Sequence, residues 1–150
     1  MPLHRSPVQG RQTLQTYYQA IANSKGPVDR LVGQQMVQLL EILNDLFPQM
    51  PLWGLTSMAR LGLSSDSAFT SAWFVLVSSA ILPDSYQLEY LLPVNQRPWE
   101  HAVVQGQSYS VEETKRYVLI AMRESEGWVG NLEFEAVLAQ HGLTGREPAA

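Results

Sequence analysis

The chain has 150 residues, a formal net charge of −4 and no cysteine. That length suits one domain with its own core, and the missing thiols exclude disulfides, thiolate zinc sites, Fe–S clusters and cysteine nucleophiles, which fits a reducing cytoplasm as the expected location. Residues 1–26 carry three bases and no acid, whereas 27–109 sum to −4 and 110–141 to −3, so a short basic lead precedes an acidic body that argues against nonspecific nucleic-acid binding and fits a more basic protein partner.

Residues 1–10 hold two prolines and a glycine without periodicity and read as a loose lead, as do 145–150 at the other end. From Arg11 to Ser24, Leu14, Tyr17, Tyr18 and Ile21 recur at helical spacing, and Lys25-Gly26-Pro27 stops that helix. Val28–Phe47 follows as the longest helical signal, with Met36, Leu39, Leu40, Leu43 and Leu46 on an apolar stripe and Gln34, Gln35 and Gln38 assigned to the polar side. Pro48 and Pro51 end it.

The period then changes. Leu55, Ser57, Ala59, Leu61 and Leu63 alternate with other residues, so one strand is expected over 54–63. The stretch 71–82 is the most apolar in the chain. It reads as a strand covered on both faces, although Phe69, Ala72, Trp73, Leu76 and Ala80 also fall at helical spacing. Pro83-Asp84-Ser85 is turn chemistry. Tyr86, Leu88, Tyr90 and Leu92 then predict a half-buried strand with Gln87 and Glu89 turned to water, and 102–108 an edge strand weakened by Gly106.

Ser110-Val111-Glu112-Glu113 is a capping box that opens a helix running to about Ser125. Asn131 opens the last helix, Leu132–His141. The expected fold is a single α+β domain spanning 1–150: a four-stranded antiparallel meander over about 54–108, flanked by two N-terminal and two C-terminal helices. No apolar run reaches the ~20 residues needed to span a bilayer, and Met1–Gln12 lacks the apolar region of a signal peptide, so no membrane association is expected.

Chemistry-bearing patterns are sparse. His4, His101 and His141 show no metal-ligand spacing, so neither a metal nor a cofactor is expected. The serines lack a nucleophile elbow, the glycines form no phosphate loop, and Glu112-Glu113 is explained by the helix start. What remains is a protein surface. Trp99 stands in a polar loop beside Arg97, Glu100 and His101, and an exposed Trp among charges is the makeup of a binding hot spot. Asp84 and Glu89 are expected to add an acidic rim, giving Trp99, Glu100, His101, Glu89 and Asp84 as the partner-binding set.

The expected function is a non-enzymatic protein-binding module. In class and composition the chain resembles bacterial toxin-neutralising immunity proteins, which are often compact, acidic, cysteine-free α+β domains. The alternative is a small-molecule-binding domain or small enzyme with a pocket between sheet and helices lined by Tyr86, Tyr90, Trp73 or Tyr117. The oligomeric state is open, and self-pairing of the 102–108 edge strand is a third reading.

Overall fold

The structure, a computed structural model, describes residues 3–67 and 74–143. The elements in chain order are β1 (Leu3–Arg5), α1 (Leu14–Ala22), α2 (Pro27–Leu46), β2 (Leu52–Ser57), β3 (Arg60–Ser64), β4 (Val75–Ser79), β5 (Tyr86–Leu91), β6 (Val103–Ser108), α3 (Val111–Glu124) and α4 (Leu132–Gln140). The strands form one sheet in the order β1-β2-β3-β4-β5-β6. β1 lies parallel to β2, and every later neighbour pair is antiparallel. Among the described residues the class is α+β with four helices, as expected, but the sheet is six-stranded and mixed rather than a four-stranded meander.

One extra strand comes from the span 54–63. It is a two-stranded hairpin, with Ser57 opposite Arg60 and a loop of two residues, Met58 and Ala59. Both have positive φ, 52° and 67°. That backbone matches the right-handed twist of a hairpin, but its usual sequence signal is Asn-Gly, so Met-Ala conceals it. The single alternation read across 54–63 is therefore broken. Leu61 and Leu63 face the core with Gly54 and Thr56, whereas Leu55 pairs with Gly62 on the other face. Replacing Met58-Ala59 with Asn-Gly should stabilise the fold by about 1–2 kcal/mol, read as a higher urea midpoint at unchanged slope.

The second extra strand is β1, in what the sequence presents as a loose lead. Leu3 is buried and its N–H donates to Asn44 Oδ1 on α2 at 3.2 Å. Ser6 N–H donates to Gly54 O at 2.7 Å. Beyond that point the Gln9 side chain does the work of a strand residue: its Nε2 donates to Thr56 O and its Oε1 accepts the Thr56 N–H, both at 2.6 Å. Arg5 lies 5.0 Å from the Tyr17 ring centroid and donates to Thr56 Oγ1 at 3.0 Å. All of these contacts join distant parts of the chain, so no local pattern announces them.

β4 is internal in the sheet. Val75 and Val77 face the core, Leu76 points the opposite way, and all three are buried, which is the two-sided burial expected of the central strand. The strand is shorter than 71–82. Ile81 and Leu82 are exposed in the turn, and residues 71–73 lie outside the described residues. β5 follows the expected alternation over Tyr86, Gln87 and Leu88, which are buried, exposed and buried, whereas Glu89 and Tyr90 are both half-buried. The core gathers Met36, Leu39 and Leu43 from α2, Leu61, Leu63, Val75, Val77 and Leu88 from the sheet, and Val118, Leu119 and Met122 from α3. α4 closes one end, where Phe134 packs 6.2 Å from Phe47 and 6.4 Å from Trp128, centroid to centroid. No helix among the described residues is long and apolar enough to cross a membrane.

Candidate functional site

The surface around β5, β6 and the connection between them is held in place from both ends. At the end of β6, Ser85, Ser108 and Thr114 are fully buried. Ser85 Oγ donates to Ser108 O at 2.7 Å, and Ser108 Oγ lies 2.7 Å from Thr114 Oγ1. The capping box then starts α3: Ser110 Oγ accepts the Glu113 N–H at 3.1 Å. Glu113 also reaches back, but its Oε1 accepts the Tyr109 N–H at 2.9 Å rather than the Ser110 N–H of an ordinary capping box. Glu112 pairs with Lys115 at 3.5 Å.

The β4–β5 turn is pinned by Gln35. Sequence periodicity assigns this residue to the polar side of α2, yet it is buried. Its Nε2 lies 2.8 Å from Ser79 Oγ, 3.0 Å from Ala80 O, 3.1 Å from Leu82 O and 3.2 Å from Ser85 O. Its Oε1 accepts the Asp84 N–H at 2.6 Å. The Tyr86 hydroxyl sits 2.7 Å from the backbone carbonyl of Gln35 and 2.9 Å from Gln38 Oε1. Burial, and then the Asp84 charge, push the Tyr86 phenol well above its ordinary range, so it stays a neutral donor. This cluster is structural: each polar atom faces a partner within the fold.

The five predicted partner-binding residues do not converge on one spot. Trp99 is 72% exposed at the tip of the loop, so it does not plug the core. Glu100 and His101 are exposed beside it, with Oε1 and Nε2 3.4 Å apart. His101 has φ 61°, and the chain turns there into β6. Arg97 Nε donates to Leu92 O at 2.7 Å and ties the loop's two arms together. Glu89 lies midway along β5 on the face away from the core, opposite Gln105, whose Nε2 reaches its Oε1 at 3.4 Å. Asp84 is exposed at the far end of β5, where Gln38 Nε2 donates to it at 3.2 Å. A six-residue strand separates it from the Trp99 loop by about 17 Å. The five residues thus mark out the β5–β6 border, three at the start of β6, one midway and one near its end.

Sequence reasoning placed an edge strand between them but missed the two grooves that flank it. β6 is the terminal strand of the sheet, and Val103, Val104, Gln105 and Gly106 are exposed. On the core side, Tyr90, Val104, Tyr117 and Ile120 line an apolar trough of about 190 Å³ between β6 and α3. Gly106 opens it: a Cβ there would meet nothing within 4 Å. On the other side, Gln87, Glu89, Gln105 and Gln107 line a polar groove of about 350 Å³. The available signal was Gly106 in a strand after two valines, a sign of close backbone approach.

Of the aromatics expected to line a ligand pocket, Tyr90 and Tyr117 reach the trough, Tyr86 is buried in the Gln35 cluster, and Trp73 lies outside the described residues. His4 packs against Trp53 at 5.4 Å between centroids, and His141 ends α4. Among the described residues, no group of three His, Asp or Glu side chains is placed to hold a metal ion. Comparison of the chain with family models, with curated proteins and with solved structures finds no match.

Proposed function

We propose that the chain is a non-enzymatic protein-binding module whose contact surface runs along the β5–β6 border and takes a more basic partner. The observation that carries this reading is Trp99, 72% exposed on a loop braced by Arg97 and followed directly by the exposed start of β6. Leaving a large indole in water is unfavourable, and a Trp among charges, if covered by a partner, contributes as a hot spot. Tyr109, 62% exposed, extends apolar surface past the other end of the strand. The acidic body supplies complementarity to a basic partner and speeds its encounter at low salt. In its most concrete form the reading is a bacterial toxin-neutralising immunity protein acting in the cytoplasm. The small-molecule alternative is weaker, because the 190 Å³ trough is below the roughly 300–1,000 Å³ of ordinary ligand pockets.

Trp99→Ala provides the test. Stability should change by less than about 0.5 kcal/mol, because the side chain packs little in the free protein. Capture from host lysate with the intact chain should yield one stoichiometric partner of higher isoelectric point, and the variant should lose at least about 2 kcal/mol of that affinity, roughly 30-fold. Absence of a stoichiometric partner, or equal retention by the variant, would sink the reading.

A further inference from the structure

The two edges of the sheet are treated differently. At one edge the short strand β1 covers β2, and where β1 ends the Gln9 amide takes the Thr56 backbone pair. At the other edge β6 presents six residues with no described strand beyond it. Its hydrogen-bond parity follows from one contact: Leu92 N–H donates to Ala102 O at 3.1 Å, opposite it in the ladder. Antiparallel alternation then turns residues 104, 106 and 108 toward β5, and the N–H and C=O groups of Val103, Gln105 and Gln107 outward. The next outward N–H, of Tyr109, is already taken by Glu113. Three consecutive outward donor–acceptor pairs are thus left, and among the described residues none bonds them.

We infer that β6 receives an extended segment of a basic partner protein as a seventh strand, which lays alternate apolar side chains into the trough formed by Tyr90, Val104, Tyr117 and Ile120. Three observations fit one another. The edge supplies main-chain pairing at every second residue. The trough lies on one side of that same edge, and side chains of an added strand alternate between its two faces, so every second one faces the trough. Gly106 puts no side chain between incoming strand and trough. Charge selects the occupant. Residues 81–127, which build this border, hold seven carboxylates (Asp84, Glu89, Glu100, Glu112, Glu113, Glu124, Glu126) against four bases (Arg97, Lys115, Arg116, Arg123), a net of −3 out of the chain's −4. On the face away from the trough, Glu89 lines the polar groove beside β6. A segment alternating Lys or Arg with Val, Ile or Leu matches both faces, whereas a second copy of this chain would bring the same acidic border against itself. This inference rests on the protein-binding reading above and specifies its mode.

The test uses Gln105→Pro in the full chain. Proline removes the Gln105 N–H, which points away from β5, so the β5–β6 ladder keeps its bonds while the ring obstructs an added strand. The probe is a displayed library of random nonapeptides, followed by synthesis of an enriched sequence. Enriched peptides should alternate basic and apolar residues, protect the amides of Val103, Gln105 and Gln107 from exchange, and bind Gln105→Pro at least tenfold more weakly. An unchanged hydrogen-exchange pattern of the β5 amides in Gln105→Pro verifies that the sheet is intact. Tyr117→Ala, which removes one wall of the trough and leaves the β6 backbone groups in place, should also weaken binding. If peptides bind both proteins equally, strand addition is wrong while the protein-binding reading stands. If light scattering shows a dimer that Gln105→Pro converts to monomer, the edge belongs to a second copy and the inference falls. If no peptide is enriched, strand addition falls too, and the Trp99→Ala experiment decides the protein-binding reading separately.

Discussion

Gly33→Ala should destabilise the protein by about 3 kcal/mol or prevent folding, the reverse of what helix propensity predicts. In an ordinary helix interior this substitution stabilises by about 1 kcal/mol, because alanine loses less backbone entropy. Here α2 meets the end of α1 at Gly33. A Cβ at that position would stand 2.1 Å from Ala22 N, 2.5 Å from Ala22 Cα and 2.6 Å from Ile21 C. These are backbone atoms of a neighbouring helix, so no rotamer change relieves the clash and α1 must move as a body. α1 also carries Tyr18 and Leu14, both buried, and Leu14 packs over Gly54 of β2. Displacing α1 therefore loosens β2 as well. Urea denaturation of the two proteins measures the effect. Ala22→Gly in the same chain should not restore stability, since the contact is to the Ala22 backbone rather than its methyl group. A Gly33→Ala protein as stable as the parent would show that the helices do not approach this closely.

Gln35→Leu is the second large effect, expected to cost about 2–3 kcal/mol. Leucine is close in volume, so the loss is polar rather than steric. The Asp84 N–H loses its acceptor, Gln35 Oε1, at 2.6 Å. The carbonyls lose less: Leu82 O still accepts from Ser85 N–H and Ser85 O from Ala80 N–H. The damage thus falls on the turn, where Asp84 is already held at φ 59°. Hydrogen exchange should speed up at the Asp84 amide before the rest of β4 and β5. Gln34→Leu, one residue away on the exposed side of α2, should change stability by less than about 0.5 kcal/mol. Equal effects from the two leucine variants would mean that the Gln35 cluster does not pin the turn.

The two glutamines show how far periodicity reads. A helix stripe is inferred from apolar residues, so a polar residue at its margin is assigned to water by default. Gln35 is buried because the β4–β5 turn comes to it with unpaired backbone groups, and that turn lies more than forty residues away. Trp99 lay at the same limit of inference. Its neighbours Arg97, Glu100 and His101 marked a polar loop, but only the fold shows that the indole stays in solvent instead of folding onto the sheet.

By itself, the sequence determined the four helices, the α+β class and the strands β5 and β6, because each rests on near neighbours, whereas β4 stays open to a helical reading. Helical stripes, the Ser110 and Asn131 caps, proline stops and two-residue alternation are set within a few residues of chain. The tertiary structure alone decided the β1 end of the sheet and which backbone groups β6 turns outward. β1 exists only because β2 is there to pair with it, and the Met58-Ala59 turn is imposed by the β2–β3 ladder against the preferences of both residues. The outward row of Val103, Gln105 and Gln107 is likewise a property of pairing order, since the same residues inside a sheet would have no free side. The sequence marked 102–108 as edge-like, but which of its backbone groups stay outward is set by pairing between separate segments, which no local pattern carries.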